Sequence, residues 1–325
     1  NTEYGFLSPD SLMKILLLES LGISQEVLDS YADVLRSQGH EFTAYERDLS
    51  PKVQIARAKD ADILIIANMP LSGEVIRSCP RLKFINVAFT GVDHVDLEAA
   101  RERQIAISNA SGYSNESVAE LALCMMLSLL RNVPQVEEKC RQGSTKDGLV
   151  GQELKGKTVG IIGVGAIGTR TAQLCQAFGC KILGYRRHPE KNPAAGVTYV
   201  SLEELLRQSD IVFLHCPQTP ETVGMINEER LSWMKPSAIL INAARGPIVD
   251  SQALANALNE GRLAGAGIDV FESEPPLNTD HPLLHSRNTI VTPHVAFASK
   301  ESMLARAEIV FDNIQAWMNG TQKNI

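Results

Sequence analysis

Short apolar runs and longer runs with helical spacing alternate along nearly the whole chain. Ile15–Leu18, Ile63–Ile66, Phe84–Val87 and Ile105–Ile107 are apolar runs of strand length. Strands that are apolar on both faces belong to a parallel sheet covered on both sides. From Ser24 to Gln38, the residues Val27, Leu28, Tyr31, Val34 and Leu35 fall at helical spacing. Ser24 is the predicted N-cap of that helix and Gly39 its stop. The N-terminal stretch through Ile107 thus reads as one doubly wound α/β unit.

Ser117 to Leu130 predicts the most apolar long helix, with Val118, Leu121, Ala122, Met125, Met126 and Leu129 in phase. It is apolar around most of its circumference, so burial is expected, either in a core or between domains or subunits. A polar, glycine-containing stretch follows from Arg141 to Lys157. A second α/β series then begins with a strand at Thr158–Ile162 and a helix at Ala166–Phe178. Further strands are predicted at Ile182–Tyr185, Ile211–Leu214, Ala238–Ile241, Gly265–Ile268 and Ile290–Val291. Lys300 to Met318 predicts a final helix, with Met303, Leu304, Ala307, Val310, Phe311, Ile314 and Trp317 apolar.

The chain has 325 residues, room for roughly two domains. Hydrophobic residues make up 44% and charged residues 21%, an ordinary globular composition. The 31 basic and 38 acidic residues give a net charge of −7, which argues against a nucleic-acid partner. No polybasic signature points to an anionic membrane, and no apolar run approaches the roughly 18 residues of a membrane helix. The six cysteines (79, 124, 140, 175, 180 and 216) contain no C-x-x-C pair. Most of them read as small buried hydrophobes, and a reducing cytoplasm is the expected location. Met13-Lys-Ile-Leu-Leu-Leu reads as a native start, with residues 1–12 an expected extension that the fold does not need.

Gly163-Val-Gly165-Ala-Ile-Gly168 follows a predicted strand and opens a predicted helix, the context that makes G-x-G-x-x-G informative. Gly163 permits the tight turn, Gly165 lets backbone approach a pyrophosphate, and Gly168 lets helix and strand pack closely. The helix N-terminus supplies amide donors for the phosphates. A dinucleotide site of this kind ordinarily carries an acid about 20 residues on, which accepts from the ribose 2′-hydroxyl. Here the next strand ends in Arg186-Arg187-His188. Guanidinium groups only donate, and they bind a phosphate well. NADP(H) is therefore favoured over NAD(H), with NAD(H) the second option.

Three polar groups stand just past three successive strands: Arg245 in Asn242-Ala243-Ala244-Arg245-Gly, Glu274 after Gly267-Ile-Asp269-Val-Phe, and His294 in Thr292-Pro-His. In an open α/β sheet, ligands bind outside the carboxyl ends of the strands, so these groups can converge on one crevice. An imidazole, which ordinarily titrates about 6.5, can give or take a proton. A carboxylate can hold its other nitrogen, and an arginine can pair with a substrate carboxylate.

These segments, together with His215-Cys-Pro-Gln-Thr-Pro-Glu-Thr, resemble the D-isomer-specific 2-hydroxyacid dehydrogenase family. The resemblance covers the chain from Met13 onward and is closest in type to NADP-using glyoxylate/hydroxypyruvate reductases. It implies an α/β protein with two doubly wound parallel-sheet domains, a Rossmann cofactor domain inserted into a flavodoxin-like substrate domain. The substrate domain would span 1–112 and 297–325, and the dinucleotide domain 113–296. The chain would cross between them near Ser111–Glu116 and return near Val295–Ser299.

The resemblance places the catalytic triad on Arg245, Glu274 and His294. Arg245 and His294 would touch the substrate, and the amides of Thr90 and Gly91 would bind its carboxylate. Ala166 and Ile167 would present amides to the pyrophosphate. Cys216 and Pro217 would flank the adenosine, Ala243 and Ala244 would line the cofactor, and Asp269 would bond the nicotinamide carboxamide. Ser117 would touch the nicotinamide side or a phosphate, unless it serves as the N-cap of the long helix. His94 reads as structural. No metal is implied. The partner is a small 2-keto or 2-hydroxy acid, and the long helix would sit in a homodimer interface. Glu274 argues against formate as substrate. A dinucleotide-sensing binding protein, like the corepressors related to this family, is the competing function, and turnover discriminates the two.

Overall fold

The computed structural model describes residues 12–324, so the expected extension lies, Leu12 apart, outside the described residues. The chain divides into two compact units, one running to Ser114 and resuming at Ala298, the other spanning Asn115–Phe297.

The first unit holds a sheet of five strands: β1 (Lys14–Leu17), β2 (Glu41–Ala44), β3 (Ile63–Ile66), β4 (Phe84–Val87) and β5 (Ala106–Ser108). Their order is β2-β1-β3-β4-β5 and every pairing is parallel. All four residues of β3 are fully buried, as expected of a central strand between two helical layers. The first helix (Gln25–Ser37) starts where Ser24 accepts from the Val27 amide, and Gly39 follows with φ +88°. The C-terminal helix (Lys300–Met318) belongs to this unit. Its Ala307, Val310, Phe311 and Ile314 join Ile15, Leu17, Ile63, Ile65 and Phe84 in one core. Tyr31 stacks on Phe311 at 4.4 Å and Phe84 on Trp317 at 5.0 Å. Burying the Phe84 and Phe311 rings contributes about 1.5–3 kcal/mol each. A polar thread runs beneath them: Asn86 on β4 is fully buried and donates to the Val310 carbonyl at 2.7 Å.

The second unit holds seven strands: β6 (Thr158–Ile162), β7 (Lys181–Tyr185), β8 (Val197–Tyr199), β9 (Ile211–Leu214), β10 (Ile239–Asn242), β11 (Gly265–Ile268) and β12 (Thr289–Val291). They form one parallel sheet in the order β12-β11-β10-β9-β6-β7-β8. The chain builds outward from β6 in one direction, then returns to lay β9 on its other side. That reversal is the switch point at which open α/β sheets bind ligands.

The long helix runs from Asn115 to Leu130 and packs over β10 and β11. Gly267 makes the approach close, since a Cβ there would stand 2.9 Å from Met125 Cβ. Val118, Ala122, Met125 and Met126 are buried, whereas Glu120 and Cys124 are exposed, so one face of the helix points outward. Ser117 lies inside its first turn, which corrects the reading of it as an N-cap.

Strands β2 and β8 and a helix at Val133–Arg141 lie outside the elements that the apolar pattern predicts. The helix follows Asn132 with Pro134 in its first turn, and none of its residues is buried, so it leaves no apolar stripe to read. The cysteines also need correcting. Cys79, Cys175 and Cys216 are buried, Cys180 is partly so, and Cys124 and Cys140 are exposed. Among the described residues no single helix is long and apolar enough to cross a membrane.

Candidate active site

The glycine loop stands at the carboxyl end of β6. Gly163 has φ +94° and donates to the Tyr185 carbonyl at 2.8 Å. A side chain there would collide with backbone, the Cys216 nitrogen lying 2.5 Å from an added Cβ. Gly168 is tighter still, 2.1 Å from the Gly163 oxygen. Gly165 differs: an added Cβ would meet nothing within 4 Å. It is the N-cap of the helix Ala166–Ala177, and no side chain caps that helix. The first helical bond runs from the Thr169 amide back to the Gly165 carbonyl, leaving the amides of Ala166 and Ile167 to be met from outside. An open, positively polarised helix end over a bare glycine fits the pyrophosphate of a dinucleotide.

Beside the loop, Cys216 is buried and burial pushes its thiol up to about 11, while Pro217 is exposed. Burial pushes His215 down to about 4, so it is neutral at pH 7, with Nε2 at 3.0 Å from the Thr171 hydroxyl. At the end of β7 the two arginines have different surroundings. Arg186 folds inward over the Tyr199 ring and donates to the carbonyls of Val164, Pro189 and Lys191. It therefore ties the β7 turn to the glycine loop. Arg187 is exposed and faces Glu221 at 3.4 Å.

The residues past β10, β11 and β12 stand at neighbouring strand ends. Glu274 and His294 meet, with the imidazole Nδ1 at 2.7 and 2.9 Å from the two carboxylate oxygens. The rings of Phe297 and His294 lie nearly perpendicular, their centroids 5.6 Å apart. His294 has φ +54°, uncommon for a residue with a side chain. The turn is over-determined: the His294 amide donates to the carbonyls of Asp269 and Thr292. Asp269 itself is fully buried. One carboxylate oxygen accepts from the Thr292 hydroxyl at 2.6 Å and the Val295 amide at 2.9 Å, the other from the Ala296 amide at 3.0 Å. Burial pushes this carboxyl above its ordinary range, against the pull of those donors and of His294. Asp269 thus builds the turn that carries His294, a duty that no motif announces.

Arg245 follows β10, and its guanidinium donates to the Ala244 carbonyl at 2.8 Å. Asn242 ties that turn by donating to the Arg245 carbonyl and accepting from the Ala244 amide, while Ala243 is half-buried. Gly246 then lies against the Phe271 backbone, where no side chain would fit.

In the first unit, Thr90 is exposed and Gly91 half-buried just past β4. His94 bonds the Ala67 carbonyl at 2.6 Å, in keeping with a structural role. Sequence reading missed Glu19, a buried carboxylate that accepts from the amides of Ala67 and Met69 and shapes the loop after β3. Burial was its only signal, and it is not visible in a single sequence.

Residues 123–296 match the family model described as "D-isomer specific 2-hydroxyacid dehydrogenase, NAD binding domain". Hydroxypyruvate reductase of Blautia hydrogenotrophica is 37% identical over 327 residues, covering 96% of this chain and 99% of the relative. The chain belongs to the D-isomer-specific 2-hydroxyacid dehydrogenase family. Glyoxylate reductase of Korarchaeum cryptofilum is 40% identical over 83% of this chain and 84% of its own. Among solved structures, an acyclic imino acid reductase in complex with NADPH and D-Arg superposes with a TM-score of 0.87. It is 29% identical and covers 96% of this chain and 99% of its own. The protein is accordingly an NAD(P)-dependent dehydrogenase acting on small hydroxy or keto acids.

Proposed function

We infer that the protein reduces a small 2-keto acid to the D-2-hydroxy acid, and runs the reverse, with NADPH as the favoured reductant. The His294–Glu274 pair carries the reading. With Nδ1–H donated to the carboxylate, Nε2 is the atom that exchanges a proton. When bound, the nicotinamide supplies the hydride chemistry at the substrate's C2. His294 gives the proton that the C2 oxygen requires, and takes it back in oxidation. Glu274 accepts from Nδ1–H and holds the ring in register. Arg245 pairs with the substrate carboxylate and polarises the carbonyl. Thr90 and Gly91 donate amides to that carboxylate.

The amides of Ala166 and Ile167 hold the pyrophosphate. Cys216 and Pro217 flank the adenosine, and Ala243 and Ala244 line the site. Asp269, beyond its turn bonds, accepts from the carboxamide, and Ser117 faces the nicotinamide side or a phosphate. Arg187 meets the 2′-phosphate with little rearrangement, because its ion pair with Glu221 is exposed and weak. Arg186 contributes by holding the turn and its positive charge against the glycine loop. The exposed face of the long helix is assigned to a homodimer interface.

The test is NADPH and NADH oxidation with glyoxylate, hydroxypyruvate, pyruvate and branched 2-keto acids. Turnover with none of them favours the dinucleotide-sensing alternative. Arg186→Asp with Arg187→Ala is expected to move the NADPH/NADH ratio of kcat/KM toward NADH by about tenfold or more. An unchanged ratio removes the arginines from cofactor choice.

A further inference from the structure

The loop after β4 is held from behind at three successive carbonyls. Arg306, a buried cation of the C-terminal helix, donates to the Ala88 carbonyl at 3.3 Å. The Ala110 amide donates to the Phe89 carbonyl at 3.0 Å. The side-chain amide of Asn109, just past β5, donates to the Thr90 carbonyl at 2.9 Å. In a planar trans peptide, the N–H of each residue points opposite to the carbonyl of the residue before it. Fixing the carbonyls of Phe89 and Thr90 therefore fixes the direction of the amides of Thr90 and Gly91, the two assigned to the substrate carboxylate. No acceptor within the described chain takes either amide.

Asn109 is itself braced on every side. Its Oδ1 accepts from the Ser111 amide at 3.2 Å. Its carbonyl accepts from the side chain of Asn313, a fully buried residue of the C-terminal helix, at 2.9 Å. Its amide donates to the Asn324 carbonyl at 2.9 Å, and Asn324 in turn donates to Asn313. Such a set of satisfied bonds gives the side chain one orientation, with Nδ2 aimed at Thr90.

We propose that Asn109 is a positioning residue for the substrate-carboxylate subsite, aiming the Gly91 amide by gripping the Thr90 carbonyl from behind. The assignment rests on the keto-acid reading above, and it adds to that reading a residue that touches neither substrate nor cofactor. An anion gains from an amide donor only while the N–H is aligned, and alignment falls away steeply as the peptide plane rotates. Loss of the grip is felt by the bound carboxylate in the ground state and the transition state alike. It therefore raises KM and leaves kcat nearly untouched.

The test uses Asn109→Ser in the full chain. A serine hydroxyl still accepts from the Ser111 amide, as Ser and Asn share that local turn, but it is too short to reach Thr90. Asn109→Ala is the second variant. With the best 2-keto acid of the panel, both are expected to raise KM about tenfold, with kcat within about twofold of wild type. The inhibition constant of oxamate, a non-reducible carboxylate analogue, rises by the same factor, while NADPH affinity and Tm stay at wild-type values. An unchanged KM in Asn109→Ser overturns the proposal. So does a KM rise that tracks a loss of Tm or of NADPH affinity in either variant, since that marks a merely structural residue. A wild-type protein that turns over none of the keto acids overturns the keto-acid reading itself, and this inference with it.

Discussion

Gly165 and Gly168 stand three residues apart in one loop, yet the structure gives them opposite surroundings, and the proposed function gives them different duties, which a pair of alanine substitutions separates. At Gly168 an added Cβ would stand 2.1 Å from the Gly163 oxygen, more than 1 Å inside ordinary contact. The clash is with backbone rather than the end of a flexible side chain, and the Gly163 amide is bonded to the Tyr185 carbonyl at 2.8 Å, so the oxygen has little freedom to retreat. The helix must lift from β6 instead. Overpacking of this kind costs about 1–3 kcal/mol, and the rigid backbone partner puts it at the upper end. Replacing glycine in a helix returns about 1 kcal/mol. Net destabilisation of about 2 kcal/mol lowers Tm by roughly 4–8 °C for a unit of this size.

At Gly165 the backbone is extended, with φ −90° and ψ −152°, and the methyl meets nothing. Exchanging an N-cap glycine for alanine costs about 0.5–1 kcal/mol, and the stiffer unfolded chain offsets about 0.4–1 kcal/mol of it. Stability should stay within about 0.5 kcal/mol of wild type. The methyl instead stands on the exposed surface assigned above to the pyrophosphate. Holding the phosphates off that surface is expected to weaken NADPH binding by about 10–100-fold, or about 1.4–2.8 kcal/mol. Thermal melts and NADPH titration by fluorescence on the two variants check both halves. Wild-type NADPH affinity in Gly165→Ala, or wild-type Tm in Gly168→Ala, would refute the division of labour.

Two further substitutions probe the site's protons. Glu274→Gln keeps the shape of the His294 partner but removes its charge, so kcat/KM should fall about 10–100-fold with NADPH affinity intact; His294→Ala should abolish turnover, and retained activity in it removes His294 from the proton step. His215 supplies a stability prediction, because burial holds it at about 4 against about 6.5 in an unfolded chain. Its folded form binds fewer protons between those values, so the contribution is complete above about pH 6.5 and is lost as pH falls toward 4. The gap is worth at most about 3 kcal/mol, less to the extent that the ring keeps a wetted edge. Urea melts at pH 7 and pH 5 should show wild type losing about 2 kcal/mol more than His215→Asn, and equal losses in both would show that His215 does not carry the acid sensitivity.

Much of the architecture is legible in the amino-acid sequence. The strands at Ile63–Ile66 and Ile211–Leu214 declare themselves because a strand buried on both faces must be apolar throughout. The C-terminal helix over Lys300–Met318 is equally plain, as its apolar stripe is local, whereas the Ser299 cap goes unread. The glycine loop could be read because each glycine answers a need of its own few residues, a left-handed turn or a close approach. By contrast, the helix at Val133–Arg141 and the short strand β8 carry too little buried surface to write a pattern.

The sequence by itself therefore determined the alternation of buried strands with helices, the two α/β series, and which reactive types stand at which strand ends. The tertiary structure decided what those groups do to one another. It brought Glu274 onto the Nδ1 of His294 across 20 residues of sequence and spent the buried carboxylate of Asp269 on the turn that carries the histidine. It turned Arg186 back onto the Val164 and Lys191 carbonyls, and it set Asn109 behind Thr90. Periodicity and turn chemistry act over a few residues, so they are written locally. A hydrogen bond between distant side chains depends on distance and direction to a fraction of an ångström, and only the packed core between them fixes those.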